Sequence, residues 1–190
     1  MSIYENILDI LEKKGAISIP SLLDEINRQS NFQNTNRKPL ELSHVKSVIS
    51  RKREIFHIKN NIVTIDPDKD PIVLSVSLGG YPGPWYKMEV DFISGRFVYF
   101  EWHLSSFSPR NELPAASGSI EEFKKELYRL KIWKWQKEYQ NPGIILDSVT
   151  WSIKLITKAN IFESQGIQAF PKGWEKFCKA LSKLTGKYIC

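Results

Sequence analysis

Residues 43–66 read SHVKSVISRKREIFHIKNNIVTID. Apolar residues at Val45, Val48 and Ile49 keep the spacing of one helix face, and a basic burst then leads into two short alternating segments about Asn60-Asn61. The spacing predicts a helix from about Ser43. Asparagine tolerates the positive φ that a two-residue turn demands, which predicts a hairpin pairing Lys59 with Ile62, Ile58 with Val63, His57 with Thr64 and Phe56 with Ile65. That register places Phe56, Ile58, Val63 and Ile65 on one apolar face.

Upstream, Ser2 and Glu5 have capping-box spacing, Ile3, Ile7, Leu8 and Leu11 form a stripe, and Gly15 supplies a stop, so a helix is predicted over Ile3–Lys13. A second helix begins near Pro20 and buries Leu22, Leu23 and Ile26, and the polar run Arg28–Lys38 reads as a loop. Three helices closed by a two-stranded ribbon are the parts of a winged helix-turn-helix, whose third helix can enter a major groove while the ribbon lies along the backbone.

The stretch ILDILEKKGAISIPSLLDEI, a polar loop ending KPL, and VKSVISRKREIFHIKNNIVTI together resemble the HARE-HTH type of winged helix and the related domain of the bacterial RNA polymerase delta subunit. The resemblance spans roughly residues 3–65. It implies a winged-helix fold and, from what such domains do in chromatin and restriction-associated proteins, contact with DNA or with protein.

Charge is concentrated here. Between Arg37 and Lys59 stand seven basic side chains against two acidic ones, a surplus of five, whereas residues 1–36 and 60–70 are each acidic by two. On a helical projection the side opposite Val45, Val48 and Ile49 carries Ser43, Ser47 and Ser50, with His44 and Arg51 on one flank and Lys46 and Arg53 on the other. Small hydroxyls permit close approach to base edges while flanking cations meet phosphates. Ser47, Ser50 and Arg51 are therefore the candidate groove residues, Lys46, Lys52, Arg53 and Lys59 the candidate phosphate contacts, with Asn60 at the ribbon tip. The same face can also dock a protein, or stand simply solvated with its cations complementing a helix C-terminus.

At DPDKDP, residues 66–71, three Asp and two Pro interrupt both helix and strand, and all six tryptophans lie beyond it. This predicts a first domain at 1–66, a linker at 67–71 and a second domain at 72–190. In the second, IVLSVSL, WYKMEVDF, RFVYFEWHL, TWSIKLIT and NIFESQ read as strands, with the middle pair joined at Ser94-Gly95. Ser119 with Glu122 opens a helix to Arg129, and Trp174–Leu184 forms a last one. The expected class is α+β: a winged helix-turn-helix, then an antiparallel sheet with two packed helices. Residues 72–185 also resemble an uncharacterised bacterial domain type with a Gly-rich loop before a hairpin, a middle helix and an Asp-x-x-x-Trp-like start to a strand, here DSVTW; the resemblance implies no activity.

GGYPGPW, residues 79–85, has the glycines of a phosphate loop but lacks the Gly-Lys-Ser/Thr ending and precedes a strand, so it reads as a tight loop. KIWKWQKEY interleaves lysines with aromatics as a base-stacking surface does, or as core aromatics with solvated lysines do. His44, His57 and His103 are dispersed, and Asp91 and Glu101 sit several residues apart along their hairpin, so neither a triad nor a metal-dependent nuclease is expected. Two cysteines are too few for a disulfide framework, no long apolar run is present, and no signal segment is expected from MSIYENILDI. A net charge of +6 favours a polyanionic partner. The expectation is a cytoplasmic, non-enzymatic DNA-binding protein without cofactor or metal, with no membrane role. Residues 72–190 would bind a protein partner, form a homodimer or sense a ligand. The alternative is an adaptor docking on protein in a transcription or phage-defence assembly.

Overall fold

The computed structural model describes residues 2–32, 39–103, 118–141, 143 and 148–189. They divide into two units, residues 1–70 and 71–190, and Pro71 at the division opens a strand instead of closing a linker.

In the first unit, helix α1 spans Ile3–Lys14. Ser2 Oγ accepts from Glu5 N–H at 3.2 Å and Ser2 N–H donates to Glu5 Oε2 at 2.8 Å, the predicted capping box. Gly15, at φ 71°, ends the helix. A two-residue strand, β1 (Ile17–Ser18), precedes α2 (Ile19–Phe32). The polar run from Arg28 is thus partly helical: it holds no Gly or Pro before Phe32, and its polarity marks a solvated face rather than an end. Leu22 and Ile26 are fully buried, whereas Leu23 is half-buried. The Asn27 side-chain amide clasps Leu40 twice, accepting from its N–H at 2.8 Å and donating to its carbonyl at 3.2 Å, which ties the start of α3 (Leu42–Arg51) to α2.

Strands β2 (Phe56–Lys59) and β3 (Ile62–Ile65) pair in the predicted register, with Asn60 and Asn61 both at positive φ. β1 adds to the other edge of β3, pairing Ile17 with Val63, so the sheet order is β1-β3-β2. Phe56, Val63 and Ile65 face the helices and are buried, but Ile58, on the edge strand β2, remains 48% exposed although its partner Val63 on the central strand is fully buried.

The second unit is built on β4 (Pro71–Gly80), β5 (Trp85–Asp91), β6 (Arg96–Trp102), β7 (Glu138–Gln140), β8 (Val149–Thr157) and β9 (Ile161–Ile167), in the order β6-β5-β4-β8-β9-β7. The sheet is antiparallel except where β7 runs parallel to β9, which makes it mixed rather than purely antiparallel. Helices α4 (Ile120–Leu130) and α5 (Trp174–Thr185) contribute Phe123, Leu127, Phe177 and Leu181 to the core formed with Leu74, Val76, Val90, Ile153 and Leu155 of one sheet face. Ser119 caps α4 through Glu122 N–H, but Glu122's carboxylate pairs with Lys183 of α5 instead of returning to the cap. Trp151 and Trp174 meet with ring centroids 4.5 Å apart, and Trp151 Nε1 donates to the Ala169 carbonyl. The opposite sheet face carries Lys87, Glu89, Lys154, Glu163 and Gln165 at exposed positions. No described helix is long and apolar enough to cross a membrane.

Trp151→Ala is expected to destabilise the second unit by about 3–5 kcal/mol through lost burial and an unfilled cavity. Denaturant unfolding followed by near-ultraviolet circular dichroism checks this, and a loss under about 1 kcal/mol would contradict the packing described.

Candidate nucleic-acid interface

α3 buries Val45 and Ile49 completely, which turns Lys46, Ser47, Ser50 and Arg51 outward with Ser43 and His44 beside them, all exposed. Arg51 Nε donates to the Ser47 carbonyl at 3.3 Å, so the guanidinium folds back along its own helix. The helix stops there. Lys52 N–H bonds to Val48 and Ile49 carbonyls, and the Lys52 carbonyl accepts from Ile55 and Phe56, reversing the chain into β2. Arg53 therefore lies in the turn, and the helical projection that set it beside Lys46 does not extend to it.

Lys52 departs further from the expectation. Its ammonium lies 5.0 Å from the centroid of the Tyr4 ring, and that ring meets Phe56 edge-on at 6.0 Å. A cation held over an aromatic face this way ties the end of α3 to α1. Lys59 and Asn60 are exposed at the hairpin end, flanked by exposed Ile58 and Ile62. Among the described residues no carboxylate pairs with Lys46, Arg51, Arg53 or Lys59. Arg37 and Lys38 lie outside the described residues.

The other sequence motifs supply a turn and core aromatics, with Trp85, Lys134 and Lys137 left at or near the surface. GGYPGPW turns between β4 and β5, and a Cβ on Gly79 would collide with the Trp85 ring lying over it. In KIWKWQKEY, Trp133 is buried and Trp135 packs edge-on against Trp151 and Phe177, while Lys134 and Lys137 are exposed. The Asp147 of DSVTW falls outside the described residues.

Asp91 pairs with Arg96 and Glu101 with Tyr86, because the loop between β5 and β6 occupies four residues, Phe92–Gly95, instead of Ser94-Gly95 alone. The strand alternation then puts the two carboxylates on opposite sheet faces. Asp91 accepts from Ser94 and Ile93 N–H, bonds that hold its carboxyl below the usual range. No group of three or more His, Cys, Asp or Glu able to hold a metal ion stands among the described residues.

Sequence reasoning missed a cluster at Glu101. Tyr99 Oη donates to its carboxylate at 2.9 Å, His103 Nε2 lies 3.0 Å away, and Lys187 from beyond α5 approaches to 3.6 Å. The i, i+2, i+4 spacing of Tyr99, Glu101 and His103 signals one strand face, but nothing local brings in Lys187. Burial pushes the Glu101 carboxyl up, and the bonds from Tyr99 and His103 with the Lys187 charge outweigh it and hold the group below its ordinary value. Burial, then the bond to Glu101, raises the Tyr99 hydroxyl. A carboxylate depressed on folding stabilises the native state above its unfolded pKa of about 4.3 and loses that contribution as pH falls. Wild type is accordingly expected to be more stable than Glu101→Gln at neutral pH, with the gap closing below about pH 4; denaturation across pH reads this, and a gap unchanged in acid would contradict it.

Comparison with known protein families, with characterised proteins and with solved structures finds no match to this chain.

Proposed function

We propose that the first unit is a winged helix-turn-helix of the HARE-HTH kind and that it binds duplex DNA, with α3 in the major groove and the β2–β3 hairpin along the backbone. The observation carrying this reading is the outward face of α3: three serines beside Lys46 and Arg51, none of these cations neutralised by a described carboxylate. Ser47 and Ser50 meet base edges. Lys46, Arg51 and Lys59 meet phosphates, and Arg53 reaches them from the turn. Lys52 acts on the interface through Tyr4 and the seat of α3. The mechanism is occupancy, without covalent chemistry, in a cytoplasmic regulator whose second unit binds a partner, dimerises or senses a ligand.

A second reading has its own support. Ile58 and Ile62 are 48% and 44% exposed at the hairpin end, one on each face of it, apolar side chains either of which can meet a protein surface, as in an adaptor of a transcription or phage-defence assembly.

Titration of duplex DNA at several salt concentrations separates the two. Each of Lys46→Ala and Arg51→Ala is expected to flatten the logarithmic salt dependence by roughly 0.9 as one phosphate contact is lost, with Lys52→Ala changing it less. Absence of duplex binding by wild type at low salt would refute the proposal. Binding of a protein partner that Ile58→Ser abolishes would favour the adaptor.

A further inference from the structure

The open sheet face of the second unit holds a groove of about 660 Å³, walled by Trp85 and Trp102 on one side and by Lys137 and Gln165 on the other, with Ser77 and Ser152 on its floor. Its construction starts at Gly79, where the missing side chain lets the Trp85 ring lie across β4. Trp102, opposite Trp85 in the pairing, has its ring within 13° of parallel and 6.3 Å away. Both residues are half-buried, unlike the buried Trp151 and Trp174 of the core. The two near-parallel rings form an aromatic platform lining the groove.

The groove continues past this platform. A second depression of about 300 Å³ shares Ser77, Ser152 and Gln165 with the first and extends it over Thr150 and Ile167. From β5 to β7 the combined trough crosses four strand intervals, roughly 19 Å. That is the form of a track for a chain rather than a closed pocket for one small molecule. Of its charged walls, Lys154 and Glu163 pair with each other at 3.1 Å, but Lys87 and Lys137 have no carboxylate partner among the described residues. Lys87 lies two residues from Trp85 on the same strand face, so a cation stands beside the platform.

We propose that this trough binds single-stranded nucleic acid, with bases stacked on Trp85 and Trp102 and phosphates met by Lys87 and Lys137. Aromatic stacking is sequence-tolerant, and a small-residue floor leaves room for the sugar-phosphate chain. With Glu138 also lining the trough, the cationic surplus is small, so stacking dominates and the salt dependence is shallow. The site is separate from the α3 face and goes beyond the duplex-binding reading.

The test uses the full chain, a short fluorescent oligothymidylate and fluorescence anisotropy at low salt. Trp85→Ala is expected to weaken binding roughly tenfold, while Trp85→Phe, which keeps a ring, weakens it less. Lys87→Ala combined with Lys137→Ala is expected to flatten the logarithmic salt dependence by about 1.4, a result that decides the matter if Trp85→Ala does not fold. Lys46→Ala with Arg51→Ala leaves oligothymidylate binding unchanged, which separates this site from failure of the duplex reading. The proposal is overturned if wild type does not bind, if the trough variants bind as wild type does, or if the α3 variant abolishes binding. Displacement by thymidine monophosphate as effective as by the oligomer overturns it too, as does a Trp85-dependent dimer with no oligomer bound.

Discussion

The register of the hairpin from Phe56 to Ile65 is the constraint on which the first unit turns. Two asparagines at positive φ make the reversal, and the pairing then places Phe56, Val63 and Ile65 against the helices together. A slip of one residue would send that set to solvent and expose the polar partners to the core. Because β3 is the central strand, the same register also sets β1 through Ile17 and Val63, and with it the start of α2. The seat of α3 follows from this. Val45 and Ile49 can be buried only with Ser47, Ser50, Lys46 and Arg51 turned out.

Much of this was legible in the sequence because the signals are local. The capping box of α1, the Gly15 stop, the helix face of Val45 and Ile49, and the hairpin pairing each depend on residues within a few positions of one another. Polarity misled at Arg28, where a solvated helix face and a loop have the same composition. β1 was illegible for a different reason: two residues carry no periodicity, and pairing with β3 alone defines it. The end of α3 was the costliest miss, since extending the projection past Arg51 gave Arg53 a helical position and left Lys52 free, when it lies over Tyr4.

In the second unit every strand but the three-residue β7 announced itself by alternation, but the order did not. The parallel pairing of β7 with β9 joins segments far apart in sequence, as does the approach of Lys187 to Glu101. The four-residue loop at Phe92–Gly95 shifted the hairpin register by two positions from that of a two-residue turn, so that Asp91 pairs with Arg96 and Glu101 with Tyr86. Only with that register known do Trp85 and Trp102 become neighbours on the open face, apart from the core tryptophans that composition alone cannot distinguish from them. The molecule thus uses its aromatics in two ways: edge-on and tilted contacts bind α5 to the sheet, while a flat pair stays at the surface.

On the proposed duplex contact, the outward face of α3 and the hairpin end form one nucleic-acid surface. Amide hydrogen exchange of the full chain, with and without saturating duplex DNA, addresses it residue by residue. Protection gained over residues 43–53 and 57–61, with the β1 side of the first unit unchanged, is the predicted result. Duplex binding with protection elsewhere and none on α3 would contradict it.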